Sequence, residues 1–246
     1  MDSNQISGNS FNKWEQPYNS GQPAAVDQSF VAKYITKVYG WMFLGLAITG
    51  VVAYLISTSP AAQALVFGSI FTFIGLFVLQ IFLVGFLSVR IHKMSSATAT
   101  AIFLFYAALV GVTFSALLIQ YEASKLATVF GMTAGTFGVM TAVGYFTKQD
   151  LTSFGRIMIM GLVGVVIASV INIFLASPGL YWIISYVGVA VFVGLIAYDT
   201  QKIKAYALLD SEEDRKKGAI LGALALYLDF INLFIMLLRL FGGSRN

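Results

Sequence analysis

The stretch ALALYLDFINLFIMLLRLF, residues 223–241, decides the reading of the whole chain. It is long enough to cross a bilayer, which takes about 20 residues of helix, and it carries an aspartate, Asp229, near its middle. An ionised side chain at that depth costs about 2.5–3.5 kcal/mol on insertion scales. The surrounding Leu, Ile and Phe offset that cost for insertion, but they do not explain why the acid is there.

The rest of the chain has the same character. Of its 246 residues, 58% are hydrophobic and 11% charged. A water-soluble domain carries about 25% charged residues, so the composition points to an integral membrane protein. Seven apolar runs are long enough to span: 37–57, 66–88, 96–119, 126–146, 157–175, 181–203 and 219–240. Short polar connections separate them, and Pro60 and Pro178 stand where helices stop. The first thirty residues are rich in Ser, Asn, Gln and Gly and read as a polar tail rather than a targeting segment. The expected organisation is a disordered cytoplasmic tail over 1–34 and an all-α seven-helix transmembrane domain over 35–246.

Basic residues set the expected orientation. Lys13, Lys33, Lys37, Arg90, Lys93, Lys148, Arg156, Lys202, Lys204, Arg215, Lys216 and Lys217 fall on one side of the seven spans. Lys125, Arg239 and Arg245 fall on the other. The positive-inside rule then predicts a cytoplasmic N-terminus and an outside C-terminus. Here the net charge of +4 signals anionic headgroups and topology, not nucleic acid. Small residues recur within the spans, and spacings such as Gly131/Gly135 and Gly131/Gly138 predict close helix contacts.

Several function classes drop out. No cysteine is present and His92 is the single histidine, so thiolate chemistry, disulfides and histidine-rich metal sites are excluded within one chain. A retinal protein would need a lysine inside the last span, and none is there. The contexts AYDTQ and YLDFI lack the Gly-Asp pattern of intramembrane aspartyl proteases. No enzyme and no tightly bound cofactor is expected.

Of the eleven Asp and Glu residues, nine lie in the tail or in connections. The two left inside apolar runs are Asp199 and Asp229, on consecutive antiparallel spans. The bland alternative is a buried polar clamp. The functional reading is a proton- or cation-linked site, the usual meaning of an intramembrane acid. Two carboxylates in a dry site cannot both ionise cheaply, so they share a proton and titrate as one unit. Ionising both would push spans six and seven apart, which predicts a pH-sensitive gate. Calcium fits as the permeant ion because it prefers oxygen ligands. Two carboxylates fall short of its usual six to eight or so oxygens, which predicts passage rather than storage. Among the neutral polar span residues, Gln80, Asn172, Asn232, Tyr106 and Tyr227 are expected to make interhelical hydrogen bonds. Tyr227 and Asn232 are also candidates for the pathway beside Asp229.

The segments AYDTQKIK (197–204) and LYLDFINLFIMLLRLFG (226–242) resemble the two C-terminal signatures of the transmembrane Bax inhibitor motif family. FTKQDLTSFGR (146–156) and KMSSATATAIFLFYAALVGVTFS (93–115) are similar to that family's loop after span four and to its third span. The likeness covers about residues 35–243 and is strongest to bacterial members. It implies a seven-helix bundle with the last helix central, in a bacterial inner membrane. It also implies a pH-dependent calcium leak whose sensor is the pair Asp199 and Asp229. A further implication is an arginine at the end of span two that pairs with the sensor; Arg90 is the match, with Lys93 the alternative in an ungapped alignment. Some relatives regulate a membrane protease or cell-death proteins, so a membrane-protein partner is the second function expected.

Overall fold

The computed structural model describes residues 28–243, and the tail before Gln28 lies outside that range. Eight α-helices follow in order: α1 Gln28–Ser57, α2 Pro60–Phe67, α3 Ile70–Arg90, α4 Ser96–Gln120, α5 Ala123–Phe146, α6 Thr152–Leu175, α7 Pro178–Tyr206 and α8 Glu212–Phe241. A 3₁₀ turn, Ile91–Lys93, extends α3. No strand occurs among the described residues. All but α2 are long and apolar enough to cross a membrane. The protein is therefore an all-α, seven-span membrane protein.

Serines set where four of the helices start. Ser59, Ser95, Ser177 and Ser211 each accept a backbone N–H from the first turn of α2, α4, α7 and α8, satisfying a donor with no intrahelical partner. Pro60 and Pro178 follow two of these caps at the first helical position, where a missing N–H costs nothing. Helix α6 ends on Ala176, a non-glycine residue with φ 48°, and the Asn172 side chain accepts from Ser177 N there.

Three boundaries differ from the sequence reading. Helix α1 begins at Gln28, so residues 28–34 are helical and not part of a disordered tail. The run 66–88 is broken at Gly68 and Ser69, which end α2 and start α3. Helix α8 begins at Glu212 because Ser211 caps it and Glu212, Glu213 and Asp214 sit in its first turn, where the helix dipole favours negative charge.

Helix α8 is the most buried element. In its most apolar window 67% of residues are buried, against 6% in α6. It packs against α1, α4, α5 and α7, while α3 packs mainly on α4 and α6 on α7. Glycines permit several of these approaches. A Cβ on Gly144 would collide with the Ala197 carbonyl, and one on Gly111 would sit 2.7 Å from Thr49 O. The spaced glycines of α5 behave otherwise: Gly131, Gly135 and Gly138 are exposed and face no other helix. They point to the lipid side, contrary to the packing role expected of them.

Candidate functional site

Helices α7 and α8 run antiparallel, joined by residues 207–211. Tyr206 lies against Gly218 and Met236 against Gly188. That register brings Asp199 to Asp229, and the two carboxyls meet within hydrogen-bonding reach. A hydrogen bond between two carboxyl groups requires a proton on one of them. Asp229 is 4% exposed, and its Oδ2 finds no donor among the ordinary N–H and O–H groups of the described residues. Asp199 is half-buried, because it lines a cavity.

That cavity has a volume of about 440 Å³. It lies between the end of α3 (Ser88, Val89, His92), the last turns of α7 (Asp199, Lys202, Ile203, Tyr206) and one face of α8 from Leu221 to Leu228. Asp199 sits deepest along α7, seven residues from its end, or about 10 Å at the helical rise. Lys202, one helical turn on, is the cation that shares the cavity with it. The Lys202 ammonium stands 5.9 Å from the Tyr198 ring centre and 6.0 Å from that of Tyr206.

Beyond the pair, toward the other end of the bundle, the space fills with aromatic rings. Phe230, next to Asp229, packs 5.3 Å from Phe130 and 5.5 Å from Phe137. Phe234 continues the cluster with Phe114 at 6.2 Å. A second cavity, about 420 Å³ and almost wholly apolar, lies between α1, α4, α5 and α8 and is lined by Phe114, Phe130, Phe230 and Phe234.

Residues 31–246 match the protein-family model described as "Inhibitor of apoptosis-promoting Bax1". The chain belongs to this Bax1-inhibitor family. Its relatives include the Inner membrane protein YbhL of Escherichia coli (strain K12), 47% identical over 215 residues that cover 86% of this chain and 92% of the relative. An uncharacterized protein of Borreliella burgdorferi is 44% identical over 216 residues, covering 87% and 93%. A membrane protein of Streptococcus pyogenes serotype M3 is 34% identical over 215 residues, covering 86% and 93%.

In this Bax1-inhibitor family chain the other expected site residues take different places. Arg90 is exposed at the end of α3 and does not line the cavity, nor does Lys93. The cation that lines it is Lys202. Asn232 donates to Leu228 O within its own helix. Tyr227 is fully buried and lies against Phe103 and Tyr106. Its OH is 2.6 Å from Thr49 Oγ1. Because the Thr49 proton goes to Ala107 O, Tyr227 is the donor. This bond ties α8 to α1 and α4 rather than opening a path. Gln80 makes the interhelical contact expected of it, donating to Leu109 O on α4.

Two features near the pair escaped the sequence reading. Tyr39 of α1 donates to Thr141 of α5 at 3.0 Å and lies 3.2 Å from Thr200, the residue after Asp199. Gln201 holds the α5–α6 loop from α7: its Nε2 donates to Gln149 O at 2.7 Å and its Oε1 accepts from Leu151 N at 2.8 Å. Both fix the end of α7 that carries Asp199. Hydroxyls and amides are common in loops and spans alike, so only their convergence marks them.

Proposed function

We propose that this protein is a pH-dependent cation leak, with calcium as the permeant ion and the Asp199–Asp229 pair as its gate. The observation that carries this reading is the contact between the two carboxyls at the inner end of a cavity, inside an otherwise apolar bundle. With one shared proton, the pair bonds α7 to α8. Loss of that proton leaves two like charges in a low-dielectric site, where repulsion is strong. Separation of the helices at that point, past the Phe230 rings, would join the two cavities. Four carboxyl oxygens then face a passing cation, fewer than the six to eight or so that hold calcium firmly. Neither an enzymatic activity nor a tightly bound cofactor is part of this proposal. The placement goes with it: an inner membrane, as for the Escherichia coli relative, with the lysine-rich end in the cytoplasm.

Calcium flux into proteoliposomes, followed over pH, tests the reading. Wild type is expected to leak faster as pH rises. Asp199→Asn and Asp229→Asn are expected to flatten that dependence, since neither pair can gain the second charge. Equal flux and equal pH profiles in all three proteins would sink the gate.

A second reading is regulation of another membrane protein, favoured by the family's description as an inhibitor of Bax1. The polar segment 1–27 is the candidate contact. Removing it would spare flux and abolish binding to the partner under this reading.

A further inference from the structure

The cavity that leads to Asp199 has a lysine, Lys202, at its mouth, an odd lining if cations alone use it. Lys202 is held between two tyrosine rings and makes no ion pair among the described residues. His92 faces the same space from the end of α3. Two of the three acids in the first turn of α8 are engaged elsewhere. Glu213 accepts from Ser96 N at 2.6 Å and Ser96 Oγ at 3.0 Å, and Glu212 pairs with Lys216 at 2.7 Å. The charge of the third, Asp214, bears on His92. Asp199 is the carboxylate in the cavity itself, at its inner end, where it repels an anion from the depth and leaves the mouth to it.

The opposite wall is apolar. Leu221, Ala225 and Leu228 lie half-buried on one face of α8 and line the cavity. At 1.5 Å per residue this stripe runs about 10 Å from the level of the basic residues toward the membrane centre. Helix α3 packs mainly on α4, so it does not seal the cavity against α7 and α8, and Val89 at its edge is 70% exposed. One side therefore suits a phosphate at the headgroup level, and the other suits an acyl chain descending beside it.

We propose that this cavity binds an anionic phospholipid, its phosphate seated between Lys202, His92 and the Ser88 hydroxyl and its chain along Leu221, Ala225 and Leu228. Basic pockets between spans on the cytoplasmic side are known to take such headgroups. A lipid seated there stands in the approach to Asp199. The binding itself does not depend on whether the protein conducts.

Native mass spectrometry and thermal unfolding of the full chain in detergent test this, with phosphatidylglycerol, phosphatidylcholine or inorganic phosphate added. Phosphatidylglycerol is expected to bind and to raise the unfolding temperature, while the other two do neither at equal concentration. Lys202→Gln should weaken that binding about fivefold, the effect of one lysine near a charged surface. Lys202→Arg should keep it, as should Lys148→Gln, a loop lysine outside the cavity. The circular dichroism of each variant checks that it is folded. Equal binding of phosphatidylcholine, undiminished binding by folded Lys202→Gln, or the same stabilisation by inorganic phosphate would overturn the lipid assignment.

Discussion

Gly222 on α8 lies so close to Ile203 on α7 that a Cβ there would sit 2.7 Å from Ile203 Cγ1. This contact belongs to the same register that places Asp229 against Asp199. A side chain at 222 forces the two helices apart or shifts one along the other, and either moves the carboxyls. Gly222→Leu is expected to destabilise by about 1–3 kcal/mol, the usual result of overpacking, and to lower the thermal unfolding midpoint in detergent. Gly135→Ala, on the lipid-facing side of α5, should raise the midpoint slightly or leave it unchanged, since alanine is the better helix former. Equal losses in the two variants would mean the register does not depend on Gly222.

The two acids are expected to act as one unit. If each single Asn variant flattens the pH profile of calcium flux, the double variant Asp199→Asn/Asp229→Asn should do no more than either alone. Groups in direct contact couple in this way and do not add. Additive changes in flux would show that the carboxyls titrate independently.

Phe230 adjoins Asp229 and lines the second cavity. Phe230→Ala removes the ring that packs on both Phe130 and Phe137. The expected result is a higher basal leak with a weaker dependence on pH, together with a loss of about 3–5 kcal/mol of stability for a buried aromatic. Flux assays at matched protein content, compared with wild type at the low end of the pH range, measure the first. A leak unchanged from wild type would place the barrier elsewhere.

The turn between α6 and α7 offers a test of backbone conformation alone. Ala176 adopts φ 48°, a left-handed conformation costing non-glycine residues about 1–2 kcal/mol. Glycine carries no such strain, although it loses more freedom on folding. Ala176→Gly should therefore raise the unfolding midpoint modestly, by the equivalent of about 1 kcal/mol or less, without altering flux. A lower midpoint would show that the alanine methyl contributes more than the strain costs.

Much of this molecule was legible before its structure. A run of twenty apolar residues has few alternatives in a bilayer, because a lipid-exposed backbone must satisfy its own hydrogen bonds. The spans followed from that, and the isolation of Asp199 and Asp229 followed from counting acids. The start of α8 was legible too, in Ser211 followed by three acids, but a charged stretch between spans reads more readily as a loop. The glycines of α5 misled because spacing gives a helix face without saying which way it turns. In water a polar face answers that question, whereas in lipid both surroundings are apolar.

What the sequence by itself determined is the membrane class, the number of spans and the identity of the two intramembrane acids. Each follows from the high cost of placing charge or unpaired backbone in hydrocarbon. The tertiary structure decided the rest: that the two carboxyls touch, that Lys202 and not Arg90 shares the cavity with Asp199, and that Phe230 packs on Phe130 and Phe137. Those facts depend on helix rotation and register, which are set by side-chain contacts between helices distant in the chain.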